Sequence, residues 1–213
     1  MFTVMHPIRF KILNQSELIE FLISDFRHMQ RLWNKKMGMT FRREAHEIAE
    51  GDSMIETSEY LQMLRQFDEN REYEVSFYNA MLILVYSYYE DLMIVIHNTE
   101  FPEKLTDTAP RMSELCKNKG ITLSNESKDN VDFIFNNVRL LRNYITHNKW
   151  GRYDNKPDEV EALKNLVVKY PEISYDESSI HISDTSFLLD GLRKEKSVLL
   201  ELADKLGYNN KTK

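Results

Sequence analysis

The chain has 213 residues, 42% hydrophobic and 29% charged, an ordinary globular composition with enough length to bury a sizeable core. A formal net charge of −6 argues against a generic nucleic-acid coat, which needs a surplus of lysine and arginine, yet leaves room for a nuclease whose positive groups cluster locally. Six glycines and five prolines are few for a turn-rich all-β fold, and the single Cys116 excludes an intrachain disulfide framework and a cysteine-based zinc site.

Residues 1–13 alternate weakly around Pro7, which predicts a short strand or extended arm. They lack the apolar core and cleavage site of a signal peptide. Asn14-Gln15-Ser16-Glu17 supplies helix-capping residues, and Leu18, Phe21, Leu22, Phe26, Met29 and Leu32 predict an amphipathic helix to about Lys36, ended by Gly38. Phe41–Glu50 reads as a charged helix, Gly51-Asp52 as a break and Ser53–Phe67 as another helix. Residues 68–72 read as a solvated turn or a continuation. Residues 1–72 thus form an N-terminal arm and helical extension, with 73–213 as the main helical domain or the two as one continuous domain. His28 and His46 read as surface or packing residues, since no second histidine follows at the spacing of a zinc helix.

Tyr73–Asn98 is apolar on nearly every side, which predicts a central buried helix. Its most hydrophobic part, residues 81–96, is interrupted by Glu90 and Asp91 and is short for a bilayer span, so a soluble, cytoplasmic protein without membrane contact is expected. A buried Glu90 needs a partner. Either it meets a core arginine or reaches solvent, or it faces Arg142 or His147 and orients them. Tyr86, Tyr88 and Tyr89 read as core. A loop through residue 110 leads to a short helix over 111–119 stopped by Gly120, with Cys116 as a buried filler.

A long helix starts at Ser124–Lys128 and carries Val131, Ile134, Val138, Leu141 and Ile145 as its apolar stripe. That periodicity places Arg142 on the shoulder of the stripe and Asn143 and His147, four apart, on the face turned away from it. Lys149, Arg152 and Lys156 make the following stretch basic. A helix over 158–170, a small β-hairpin around residues 176–179 and a last helix from Asp184-Thr185 to Gly207 complete the chain, with His181 on an exposed strand phase and a frayed tail from Tyr208. The expected fold is mainly α: an antiparallel helical bundle with an N-terminal extension and a small C-terminal β-hairpin.

Arg142-Asn143-Tyr144-Ile145-Thr146-His147, at the end of this amphipathic helix, resembles the R-N-x-x-x-H signature of the HEPN superfamily. The resemblance covers residues 73–207. It implies a metal-independent endoribonuclease without cofactor, in which the RNA 2′-hydroxyl attacks to leave a 2′,3′-cyclic phosphate. His147 would act as acid or base, Arg142 on the phosphate and Asn143 as orienter, with Glu90 in support and Lys149 and Arg152 as RNA contacts. It further implies a homodimer with a composite site, in a toxin or anti-phage defence setting with an antitoxin or other defence-system partner. One departure is visible. A branch of the family paired with nucleotidyltransferase antitoxins places tyrosine two residues after the histidine, where this chain has Lys149. The alternative expectation is a non-catalytic helical module for dimerisation or for binding a protein or nucleotide. On spacing alone, Arg142 and His147 also fit a solvated helix end.

Overall fold

The computed structural model describes residues 3–49, 57–105, 110–147, 157–176, 179–208 and 211–212. Two long helices dominate it: α1 (Pro7–Ala49) and α2 (Thr57–Glu100). The short α3 (Met112–Lys119) leads to a broken long helix made of α4 (Asn125–Phe133), a wide π-helical turn (Ile134–Val138) and α5 (Arg139–His147). Then come α6 (Pro157–Lys169), an antiparallel hairpin of β2 (Ile173–Asp176) and β3 (Ser179–Ile182), and α7 (Thr185–Lys205). A two-residue strand near each end, β1 (Thr3–Val4) and β4 (Lys211–Thr212), pairs antiparallel. The mainly helical bundle with its C-terminal hairpin is the expected architecture.

Local chemistry explains several boundaries. Pro7 opens α1, where its missing N–H costs nothing and its fixed φ suits the first helical turn. Ser124 caps α4 by accepting from the Ser127 amide, and the Ser124 amide and hydroxyl both donate to Glu201 on α7 at 2.7 Å. Gly120 ends α3 at φ 64°, the left-handed conformation that favours glycine. Asp184 caps α7 through the Ser186 amide.

α2 is the central helix: Tyr78, Leu82, Val85, Tyr86, Tyr88, Tyr89, Leu92, Met93 and Ile96 are all buried. By length and apolarity alone Glu72–Glu100 suffices to cross a bilayer, more than the shorter stretch anticipated from sequence, and 44% of its most apolar window is buried inside the bundle. α1, α5, α7 and β3 all pack on it. The core is continuous from Ile8, Ile12, Ile19 and Ile23 of α1 to Leu199 and Leu202 of α7.

The structure corrects four local expectations. α1 starts at Pro7 rather than at Asn14–Glu17, and it runs through Gly38. One glycine costs a helix only about 1 kcal/mol, and no proline follows to stop it. Of the two readings of residues 68–72, the structure realises the continuation, as part of α2. The apolar stripe read on α1 is mostly its exposed face. Leu18, Phe21, Leu22, Met29 and Leu32 are open to solvent, Phe26 packs on the core, and the isoleucines of another face carry the burial. His181 is buried, because both faces of β3 are covered: Ile180 and Ile182 are buried alongside it. Tyr208 does not fray. Its ring stacks on His6 at 4.4 Å, its hydroxyl bonds Glu100, and the tail reaches β1. The expected helix break at Gly51-Asp52 lies outside the described residues.

Candidate functional site

The motif helix is held on its inner side before any polar residue is placed. Ile134, Val138 and Leu141 are fully buried, as their spacing predicted, whereas Val131 and Ile145 are only partly so. The wide turn accounts for that shift. An i→i+5 turn inserts a residue into the ladder, so the buried phase follows Asn130, Phe133 and Ile134 before it and Val138, Leu141 and Tyr144 after it. Single π turns of this kind recur at functional sites. Tyr144 then ties α5 to the hairpin, its hydroxyl accepting from the Ile180 amide at 3.3 Å.

Arg142 leaves this anchored helix toward α2. One guanidinium nitrogen lies 3.8 Å from a Glu90 carboxylate oxygen, and another donates to the Asn143 side-chain oxygen at 3.1 Å. The guanidinium carbon sits 5.6 Å from the centre of the Tyr86 ring. Arg142 and Glu90 are both half-buried, so the pair is neither a free surface contact nor sealed away. Burial pushes the Glu90 carboxyl above its ordinary range, against the pull of Arg142 first, then Arg139, and the Tyr86 hydrogen bond. The Tyr86 phenol is itself driven up by burial and by Glu90. Of the two expectations for Glu90, the structure realises the contact with Arg142.

Asn143 accepts the hydrogen bond from the Arg142 guanidinium through its side-chain oxygen. Thr146 returns its hydroxyl to the Arg142 carbonyl at 2.6 Å, a bond inside the helix. His147 is half-buried and is the last residue of α5. Five residues separate it from Arg142, so the two side chains leave the helix about 140° apart. The cation and the imidazole of a single chain therefore start from different sides of the helix. Lys149 and Arg152 lie outside the described residues.

The sequence reading missed a second acid. Glu195 on α7 is fully buried, and among the described residues neither of its carboxyl oxygens has a hydrogen-bond partner, nor does the buried Tyr89 hydroxyl. Burial, and secondarily the charge of Glu90, raise the Glu195 carboxyl well above the usual carboxylate range. A signal was present in the sequence: Leu188, Leu192, Glu195, Leu199 and Leu202 step by three and four, with the glutamate inside the apolar phase.

Clefts exist elsewhere. One of about 300 Å3 lies between α3 and α4, lined by Met112, Cys116, Leu123 and Val131 among others, and one of about 370 Å3 beside the wide turn is lined by Asn130, Asn137, Lys169, Tyr170 and Lys194 among others. Neither is lined by the motif residues. Among the described residues no group of three or more His, Cys, Asp or Glu side chains is arranged to hold a metal ion. Comparison of the chain with protein-family models, with curated proteins and with solved structures gave no match.

Proposed function

We propose that the protein is a metal-independent endoribonuclease of HEPN type, acting in the cytoplasm in a toxin or anti-phage setting. What carries the reading is the Arg142–Glu90 contact on a firmly packed helix that ends at His147. RNA brings its own nucleophile, so the protein has three tasks. A base takes the 2′-hydroxyl proton as that oxygen attacks phosphorus. A cation stabilises the charge gathering on the phosphate, and an acid protonates the departing 5′-oxygen.

Histidine titrates near neutrality and fits either proton-transfer task. Arg142 stays charged, and its planar donors match phosphate oxygens. Glu90 and Asn143 fix its direction, while their partial exposure leaves the guanidinium reachable. A chain with one motif imidazole, on a different side of the helix from its own arginine, supports a homodimer that pools two Arg–His sets in one cleft. The sequence that follows His147 is locally basic, with Lys149 and Arg152, as an RNA-binding stretch would be.

The test is cleavage of RNA by purified protein in EDTA, wild type beside His147→Ala, with end-group analysis. Cyclic-phosphate ends that fall by about 100-fold or more in a folded variant are the expected result. No cleavage by a folded wild-type protein overturns constitutive ribonuclease activity. A second reading, a non-catalytic interaction module, draws support from the large apolar face left open on α1.

A further inference from the structure

α1 is apolar on two faces, and the fold uses one. Ile8, Ile12, Ile19 and Ile23 enter the core, while Phe10, Leu18, Phe21, Leu22, Met29, Leu32 and Met39 remain open, Phe21 being 64% exposed. Taking roughly 150–250 Å2 for a large side chain, these seven leave on the order of 700 Å2 of apolar surface in water. The largest such patch on a typical monomer is about 300–600 Å2, and one partner of a standard interface contributes about 800 Å2. The size fits a protein interface rather than scattered exposure.

The charges beside the stripe indicate the occupant. Between Asn14 and Phe26 the charged residues of α1 are all acidic: Glu17, Glu20 and Asp25. From Arg27 to Lys36 the fully charged ones are all basic: Arg27, Arg31, Lys35 and Lys36. Glu17 and Asp25, and Arg31 and Lys35, are exposed. Two parallel copies of this helix set acid on acid and base on base. Two antiparallel copies set the acidic half of each against the basic half of the other, twice over by symmetry.

We propose that this face of α1 binds a second copy of the chain, the two helices packing antiparallel about a twofold axis. Leu18 to Met39 spans about 31 Å at 1.5 Å per residue, long enough for several layers of interdigitated side chains. Beside the stripe, Phe26, Met29, Trp33 and Tyr73 line a notch of about 230 Å3 at the α1–α2 junction, a receptacle for a side chain of the other copy. The motif residues take no part in this contact: Arg142 and His147 are on α5. The inference therefore stands independently of the ribonuclease reading.

Sedimentation of the full chain over a concentration series tests it. Wild type is expected to self-associate through this face, and Phe21→Glu with Leu32→Glu to fall by one twofold step, to a monomer or to the motif-paired dimer of the proposed nuclease, at unchanged helicity and melting temperature, since both side chains are already exposed. Arg31→Glu with Lys35→Glu weakens association by roughly tenfold. Adding Glu17→Lys and Asp25→Lys to that same chain restores it, because the twofold brings reversed acids onto reversed bases. His147→Ala leaves the dimer intact whatever it does to RNA cleavage. A monomeric wild type overturns the proposal, as does capture of a different protein by a monomer. So does a dimer indifferent to Phe21→Glu and Leu32→Glu, which leaves a motif-helix seam as the contact. Failure of the double charge reversal to restore association overturns the antiparallel arrangement.

Discussion

Two glutamates on neighbouring helices show how environment divides one chemistry into two uses. Glu90 lies at a half-open corner with Arg142 at 3.8 Å and Tyr86 bonded to it. Glu195 is sealed in the core, with no partner for either oxygen among the described residues. Burial raises both carboxyls, but Glu90 has guanidinium groups pulling it back and Glu195 has only another acid pushing it further. A cation and a path to water keep a carboxylate serviceable for positioning. Without them a buried carboxyl costs stability.

The largest expected effect comes from removing the sealed member. Glu195→Leu fills the same apolar phase without an unpaired acid and should raise unfolding stability by about 1–3 kcal/mol, measured as a higher denaturant midpoint at unchanged slope. An unchanged or lower midpoint would mean that Glu195 has partners in solution, such as ordered water, and would break the contrast.

The pH dependence sharpens it next. A folded carboxyl raised above its unfolded value, near 4.3, binds more protons in the folded state. Its contribution is then fully present below the unfolded value and is lost as pH rises toward the folded one. Wild type should lose roughly 1 kcal/mol of stability per pH unit across that window relative to Glu195→Gln, which has no proton to give up. Chemical denaturation of both proteins from pH 4.5 to 8 reads the difference. Parallel profiles would place Glu195 in water.

A smaller effect attends the open corner. Arg142→Met takes the cation from Glu90 and should cost about 0.5–1 kcal/mol, a value discounted for partial exposure. Glu90→Gln combined with it should cost less than the sum of the two, since the charge left unpaired by the first is gone. Strict additivity would show that the 3.8 Å contact contributes nothing.

The motif corner was legible because its logic is local. Arg142, Asn143 and His147 sit at fixed offsets on one helix, and Ile134, Val138 and Leu141 say which side is anchored. Gly120, Ser124 and Asp184 mark helix ends by chemistry confined to a few residues. The wide turn at Ile134–Val138 left no comparable mark, and it moved Tyr144 rather than Ile145 into the core. His181 and Tyr208 were misjudged for one reason: strand alternation and terminal position suggest exposure, but neither reports what packs on top.

Sequence alone determined that the chain is mainly helical, where most helices lie, which helix is central and which residues project from the motif. Those properties follow from backbone preference and from periodic apolar side chains, both carried within each segment. Tertiary structure alone decided which apolar face of α1 is buried, that Glu90 meets Arg142, and that Glu195 has no partner among the described residues. Each of these depends on contacts between residues far apart in the chain, where burial and pairing are set by the neighbour rather than by the segment.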